Sequence, residues 1–185
     1  MKEEICMKKL IPLTIAIMLL AGCGSQTASS VKTGLGHVVS IEKSTDATAE
    51  KEGNAQVDTV MAAVTFDADG KILSVTIDNA QTKVAFDQTG KITSDKTAEQ
   101  KTKVELGKDY GMIKQSKIGK EWYEQIAELE KWMVGKTVDE IKAMKVKKVD
   151  EDHQSVPDEP DLNSKVTISV EDYIAAVEEA YKNAK

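Results

Sequence analysis

The period of the apolar pattern changes halfway along the chain, and this change restricts the fold more than any other feature of the sequence. In the first half, apolar residues form strand-like runs at 57–66, at 72–77 and around Val84, separated by turns that contain Asp and Gly. In the second half they recur every three or four positions, as they do along one side of a helix. These residues are Ile118, Trp122, Ile126, Leu129 and Met133. Strands followed by helices predict an α+β fold, with an antiparallel sheet built from N-terminal hairpins and C-terminal helices packed on it.

A short pattern occurs twice in the strand-rich half, at 66–72 and again at 86–92. Each copy reads Phe-Asp-x-x-Gly-Lys-Ile. Glycine supplies the positive φ that a tight turn needs, and the flanking apolar residues suit half-buried strands. We therefore interpret the two copies as hairpin turns with the same chemistry, rather than as a pair of binding loops.

Capping signals mark the helices of the second half. The apolar stripe predicts a helix over 117–134, which Gly135 ends. Thr137 followed by Glu140 is a capping box and predicts a short helix after it. Ser169 and Asp172 repeat the same spacing, and they predict the start of the last helix.

The N-terminal segment has the features of an export signal. Lys8 and Lys9 precede an apolar run at 10–20, which ends in Leu-Ala-Gly and then Cys23. This ending resembles a lipobox, the motif at which a lipid is attached to the cysteine before cleavage. The alternative is a membrane-spanning helix, which needs about 20 apolar residues, and the run from 10 to 23 is too short for that. The sequence therefore predicts a signal peptide at 1–22 and lipidation of Cys23.

Lipidation of Cys23 implies a protein held at the extracytoplasmic face of the cell membrane, because two or more acyl chains anchor a protein stably. Residues 23–33 are mostly small and polar and predict a flexible tether. Residues 34–185 have the length of a single domain. Since Cys6 lies in the segment that is removed, we expect no disulfide within the mature monomer.

The charge of the chain argues against nucleic acid as a partner. The chain has 31 acidic and 25 basic residues, for a net charge of −6, and every basic residue is lysine. An acidic surface repels a phosphate backbone. Without arginine, the chain also lacks the side chain that binds phosphate best in bidentate geometry. A phosphate group must then be met by lysine, by backbone amides or by a covalent bond.

The sequence contains no recognisable set of catalytic or metal-ligating residues. His37 and His153 lie far apart, and no nucleophile is paired with either. The acidic residues around His153 are more typical of a solvated loop than of a cation site. Among the aromatic residues, Trp122 fits the buried side of its helix, whereas Tyr123 and Trp132 fit it less well and are better candidates for a pocket.

A segment just before the last predicted helix carries a more specific signal. Asp161, Ser164 and Thr167 have the spacing Asp-x-x-Ser-x-x-Thr, which resembles the flavin-attachment motif of the FMN-binding domain family. That motif usually reads Asp-x-x-Ser/Thr-Gly-Ala-Thr, and here Lys165 stands at the glycine position and Val166 at the alanine position. The resemblance implies a cofactor site formed by Asp161, Ser164, Lys165 and Thr167. It also implies that a flavin transferase joins FMN to Thr167 through the phosphate.

The family includes cell-surface electron-transfer lipoproteins of Gram-positive bacteria. The resemblance therefore implies flavin carriage to a redox partner protein, rather than catalysis by the chain's own side chains. Glycine allows a close backbone approach to the phosphate that lysine restricts, which leaves three states open: FMN covalently attached at Thr167, FMN bound noncovalently, and no FMN. Two alternative functions stay open. One is a degenerate domain that binds a small molecule or an envelope protein partner without redox chemistry. The other is a substrate-binding component of a transporter, for which a domain of this length is small.

Overall fold

Three strands form one antiparallel sheet in the N-terminal half. The computed structural model describes residues 31–185, so the predicted signal peptide, the lipidation of Cys23 and the tether up to residue 30 lie outside the described residues. Strands β1 (Lys32–Ser40), β2 (Gly53–Phe66) and β3 (Ile72–Phe86) pair in the order β1-β2-β3. Strand β1 begins before the predicted domain boundary at 34, because the backbone of Thr33 pairs with that of Lys185.

Helices follow the sheet, which confirms the predicted α+β class. In the described residues they are α1 (Lys103–Leu106), α2 (Trp122–Met133), α3 (Val138–Lys142) and α4 (Glu171–Asn183), with short 3₁₀ turns at Gly107–Tyr110 and Met112–Lys114. Strands β4 (Val146–Lys147) and β5 (Val156–Pro157) form a small separate ribbon. None of the helices in this part of the chain has the length and apolar character that crossing a membrane requires.

Alternate side chains of β2 and β3 form the sheet side of the core. The buried residues are Val60, Ala62, Val64 and Phe66 in β2, and Ile72, Val75 and Ile77 in β3. Strand β3 is one continuous strand of 15 residues, whereas the apolar pattern predicted two separate runs. The pattern conceals this continuity because the next inward position after Ile77 is occupied by a polar residue, Asn79.

The two copies of the repeated pattern are hairpin turns, as predicted. In each, the aspartate Oδ1 accepts hydrogen bonds from the amides two and four residues later. The distances are 2.9 and 2.8 Å for Asp67, and 2.8 and 3.1 Å for Asp87. Gly70 and Gly90 have φ values of 77° and 81°, which glycine adopts without strain. Turn formation therefore accounts for the repeat.

Helix α2 presents the predicted apolar stripe to the core. The stripe residues within the helix are all buried, and they are Trp122, Ile126, Leu129 and Met133. The helix begins later than the predicted start at 117, because Glu121 and Glu124 form a capping box at its N-terminus. Ile118 therefore precedes the helix. Gly135, with a φ of 82°, follows the last turn as predicted.

The capping box of α3 is present and gives a local prediction of stability. Thr137 Oγ1 accepts a hydrogen bond from the amide of Glu140 at 3.3 Å, and Glu140 Oε2 accepts one from the amide of Thr137 at 2.8 Å. We expect Thr137→Ala to lower the free energy of unfolding by about 1 kcal/mol, as measured by chemical denaturation. The control, Thr93→Ala at an exposed position, should change it by less than about 0.5 kcal/mol. Equal effects of the two changes would argue against the cap.

Helix α4 begins without the predicted serine cap. Its N-cap position is Val170, which makes no side-chain capping bond. Ser169 Oγ instead accepts a hydrogen bond from the amide of Ser155 at 3.3 Å. The prediction that Ser169 caps this helix was therefore wrong, because a distant backbone amide competes for the same oxygen. Glu171 and Asp172 still place negative charge in the first turn, where the helix dipole favours it.

Helix α4 packs directly against strand β1. Gly34 and Gly36 face the helix, and a Cβ atom at either position would overlap the carbonyl oxygen of Ala180 or of Ala176. Only glycine therefore permits this close contact between the two backbones. The packing brings Tyr173, near the start of α4, against the indole of Trp122 in α2.

Candidate functional site

The segment that resembles a flavin-attachment motif is a turn held by two buried apolar side chains. Leu162 and Val166 are almost completely buried, whereas Asp161 and Ser164 are exposed. The amide of Val166 donates to the carbonyl oxygen of Leu162 at 2.9 Å, which closes a helix-like turn. The predicted site residues therefore project from a fixed backbone.

Thr167 ends this turn and contacts helix α2. Its amide donates to Gln125 Oε1 at 2.8 Å, and its hydroxyl lies 3.2 Å from the same oxygen. The side-chain nitrogen of the fully buried Gln125 donates in turn to Ser116 Oγ and to the carbonyl oxygen of Lys120. The contact with Gln125 fixes the orientation of the Thr167 hydroxyl, and the residue as a whole is half-buried.

Lys165, which replaces the motif's glycine, is paired within the chain. Its Nζ lies 3.2 Å from Glu128 Oε2, and the hydrogen bond from Lys165 lowers the pKa of Glu128. Lys165 and Asp161 line an open cavity of about 280 Å³ together with the half-buried Trp132. Lys136 Nζ lies 4.4 Å from the centre of the Trp132 ring. Trp132 therefore lines a cavity beside the motif, in agreement with its selection as a pocket candidate. The Lys136 ammonium already covers one face of its ring.

The four predicted cofactor residues do not line one cavity. Thr167 lines a different cavity from Asp161 and Lys165, with a volume of about 270 Å³. Ser164 is exposed on the turn between them. The motif residues therefore line two different cavities, and among the four only Thr167 lines the cavity of about 270 Å³.

The cavity at Thr167 adjoins a second cavity of about 340 Å³, and we call the two together the groove. They share three lining residues, Met112, Gln115 and His153. The second cavity, which we call the inner cavity, lies between the sheet and the start of α4. The residues that line the inner cavity include Asn79, Lys103, Tyr110, Trp122 and Tyr173. Thr167 thus lines one of two adjoining cavities and Lys103 lines the other.

Lys103 is a buried cation without a carboxylate partner. Its relative exposure is 8%, and no carboxylate of the described residues lies within 4 Å of its Nζ. The ammonium lies 5.0 Å from the ring centre of Tyr110 and 5.2 Å from that of Trp122. Burial, together with the charge of Lys43, lowers the pKa of Lys103 to about 8. Lysine is rarely buried unless it is paired, so this arrangement is typical of a functional site.

Asn79 lines the same cavity and carries a buried polar oxygen without a partner. It is 6% exposed, and its Oδ1 has no hydrogen-bond partner among the described residues. An isolated antiparallel bridge joins Ala80 to Thr102, the residues that follow Asn79 and precede Lys103. The amide of Val104 donates to Asp78 Oδ1 at 3.2 Å, which also ties the start of α1 to β3. These contacts bring Asn79 and Lys103 to the lining of one cavity.

Aromatic residues form the apolar walls of the inner cavity. Trp122 is buried, as predicted, and its Nε1–H donates to the Tyr173 hydroxyl at 3.0 Å. The two rings meet edge to face, with their centres 6.0 Å apart. Burial raises the pKa of Tyr173 to about 12, so this hydroxyl stays neutral at physiological pH. Tyr110 lies across from them, and its hydroxyl is 3.3 Å from Gln81 Oε1.

The two ends of the groove differ in charge. The inner cavity is lined by five carboxylates and, besides Lys103, by Lys43. The carboxylates are those of Glu42, Asp58, Asp152, Glu171 and Asp172, and burial raises the pKa of Asp172. The Thr167 cavity is lined by two lysines, Lys117 and Lys147, and by Asp150. Within residues 31–185, no three His, Cys, Asp or Glu residues are grouped so that they could hold a metal ion. An anionic group is therefore accommodated better at the Thr167 end than at the mouth of the inner cavity.

The sequence analysis did not single out Asn79 or Lys103. Asn79 does have a signal in the sequence, because it interrupts the apolar inward positions that precede it in β3. Lys103 has none, since it is one of many lysines and is buried only through a bridge between residues far apart in the chain.

No family model matches this chain, and no curated protein or solved structure is significantly similar to it. Its function must therefore be inferred from the groove and from the motif at its edge.

Proposed function

We propose that this protein is a lipid-anchored electron carrier at the extracytoplasmic face of the membrane, and that it holds FMN in the groove. The observation that carries the proposal is that the Thr167 cavity adjoins the inner cavity, where an unpaired cation lies beside aromatic rings. The predicted lipid on Cys23 would keep this carrier beside its redox partner protein.

The residues of the groove fit the chemical parts of FMN. A flat ring suits the inner cavity, because this cavity has aromatic walls and a single buried ammonium group, that of Lys103, beside them. The phosphate suits the other end, where Thr167 offers a hydroxyl and Lys117 offers positive charge. Lys147 also lines this end but is paired with Asp158 at 2.8 Å. Lys165 is not available for this role, because it is paired with Glu128.

The chain's own residues have three tasks in this proposal. The rings of Tyr110 and Trp122 exclude water, Lys103 contributes a positive charge, and Gln125 orients the Thr167 hydroxyl. Bound FMN supplies the redox chemistry. No catalytic role is assigned to any side chain.

Thr167→Ala is expected to abolish covalent attachment of flavin, while Ser164→Ala is expected to retain it. The expectation follows because Thr167 has the only hydroxyl of the motif that faces the groove. The protein should keep its fold, since the bond from the Thr167 amide to Gln125 persists without the hydroxyl. The measurement is a visible spectrum of each chain before and after denaturation, with a flavin transferase co-expressed.

Colour that survives denaturation in the Thr167→Ala chain would contradict the attachment site. Colour that is present before denaturation and lost after it would indicate the noncovalent form. A colourless unmodified chain, with and without the transferase, would contradict flavin carriage altogether.

A second function is binding of a small molecule or an envelope protein partner without redox chemistry. It is favoured by one observation, namely that Thr167 and Lys165 already have partners within the chain, in Gln125 and Glu128. A colourless chain that still binds a planar ligand in the groove would support this function over flavin carriage.

A further inference from the structure

We propose that Lys103 is a covalent capture site for small, uncharged aromatic aldehydes. The neutral amine of Lys103 adds to the carbonyl carbon of the aldehyde, and the product is an imine inside the inner cavity. This inference goes beyond the proposed function, because it concerns the chain whose inner cavity does not hold FMN. It also gives a ligand class to the second function, which is binding of a small molecule.

The first observation is a buried amine that faces a cavity without a partner. Lys103 is more than nine-tenths buried, and it lines the inner cavity of about 340 Å³. Within residues 31–185, its Nζ makes no hydrogen bond and no ion pair. Of the unpartnered nitrogen and oxygen atoms on buried side chains in this range, only Asn79 Oδ1 is sealed from solvent. Lys103 Nζ therefore keeps some accessible surface.

The second observation is the lining of the cavity, which indicates the class of ligand. The rings of Tyr110 and Trp122 have their centres 5.0 and 5.2 Å from Lys103 Nζ. Aromatic walls favour a planar ring over a flexible chain. The carboxylates of the lining, which include Asp58 and Asp172, disfavour an anion. An uncharged aromatic aldehyde meets both conditions and offers an electrophilic carbon to the amine.

Burial also brings part of the amine into its reactive, neutral form. Burial and the charge of Lys43 lower the pKa of Lys103 from 10.5 to about 8, although Asp58 and Asp78 act in the opposite direction. Lys83 is the other charge that lowers it. At pH 8 about half of such an amine is neutral, against roughly one in 300 for a lysine with the ordinary pKa. A desolvated lysine of this kind is an activated nucleophile toward carbonyl groups.

The chemical step balances without a further reactant. The nitrogen lone pair of the amine forms a bond to the carbonyl carbon, and the carbonyl π electrons move to the oxygen. That oxygen takes up the proton that the nitrogen loses. Departure of water then leaves a carbon–nitrogen double bond. One amine and one aldehyde thus give one imine and one water, with no change of oxidation state.

The test is labelling of the full-length chain with benzaldehyde, in a mild detergent, at a pH equal to the pKa of Lys103, about 8. Sodium cyanoborohydride reduces each imine to a stable secondary amine, and mass spectrometry of the peptides gives the rate at each lysine. We expect Lys103 to be modified at least about tenfold faster than Lys43. Lys43 is the matched control, because it lines the same cavity but has a side chain that is 65% exposed and paired with Asp58 at 2.9 Å.

Two further comparisons need no variant to fold. In guanidinium, the ratio of the Lys103 rate to the Lys43 rate should fall to about one, because burial is lost. With 4-formylbenzoate, which adds a carboxylate to the same ring, most of the preference for Lys103 should disappear. A ratio near one in the folded chain would overturn the inference. So would a high ratio that persists after denaturation, or equal ratios for the two aldehydes.

FMN separates this inference from the proposed function. FMN bound beforehand should slow the modification of Lys103 and leave that of the exposed Lys108 unchanged. Fast modification of Lys103 in a chain that binds no FMN would support the inference and contradict the proposed function. FMN found on Thr167, with no fast modification of Lys103 in the FMN-free chain, would contradict the inference and leave the proposed function standing.

Discussion

Replacing Gly36 with alanine is expected to detach helix α4 from the sheet and to lower the free energy of unfolding by about 3 kcal/mol or more. The added Cβ would overlap the carbonyl oxygen of Ala176 and would lie 3.0 Å from the carbonyl carbon of Glu179. Both are backbone atoms, so no side-chain rotation relieves the overlap. Helix α4 would have to move away, and its buried residues would lose their contacts; these are Tyr173, Ala176, Val177 and Ala180.

Chemical denaturation followed by circular dichroism measures this effect. The matched control is Leu35→Ala, since Leu35 precedes Gly36 on the same strand but is 62% exposed on the opposite face. We expect the control to change stability by less than about 1 kcal/mol. If Gly36→Ala unfolds at the same denaturant concentration as the unmodified chain, the close packing of α4 on β1 is wrong.

Replacing Lys103 with methionine is expected to stabilise the protein and, under the proposed function, to weaken the binding of FMN. The pKa of Lys103 is about 8 in the folded protein against an ordinary value of 10.5, a difference that corresponds to about 3 kcal/mol in favour of the unfolded, charged form. Loss of the contacts with Tyr110 and Trp122 offsets about 1 kcal/mol of this gain. At pH 7 we therefore expect a net stabilisation of about 2 kcal/mol.

The stabilisation should depend on pH with a defined sign. Because the folded pKa lies below the unfolded one, the cost of charging Lys103 is complete below pH 8 and diminishes as the pH rises toward 10.5. The advantage of Lys103→Met should therefore shrink over the same range. The charges that act on Lys103 are those of Lys43, Asp58, Asp78 and Lys83.

Denaturation at pH 7 and pH 10 measures this trend, with the exposed Lys108→Met as a control that should change little at either pH. A Lys103→Met chain that is less stable at pH 7, or whose advantage does not vary with pH, would contradict the description of a buried and unpaired cation. If the unmodified chain binds FMN and the more stable Lys103→Met chain does not, the native protein retains a destabilising residue for the sake of its ligand.

Much of the fold could be predicted because its determinants are local in the sequence. The two Asp-Gly turns, the capping box at Thr137 and the stripe of α2 each depend on residues within a few positions of one another. The start of α4 could not be predicted correctly, because the oxygen of Ser169 binds the distant amide of Ser155. The contact of α4 with β1 depends on Gly36, whose role becomes visible only once the two elements are adjacent.

The candidate site was predictable only at its edge. Thr167 was found through the spacing of a motif. The presence of Asn79 and Lys103 in one cavity instead depends on a bridge between β3 and the segment before α1. Asn79 breaks an alternating apolar pattern, and such a break indicates either the end of a strand or a polar group facing inward. The pattern alone favoured the end of a strand, and the structure places Asn79 in the middle of β3.

The most direct test of the ligand site is an NMR titration of the full-length chain, in a mild detergent, with FMN. The resonances to follow are the side-chain amide of Asn79, the indole N–H of Trp122 and the backbone amide of Thr167, which together span the groove. The proposal predicts that all three shift and saturate at a common FMN concentration. No shift in any of them, or shifts confined to Trp132 and the cavity beside Lys165, would contradict it.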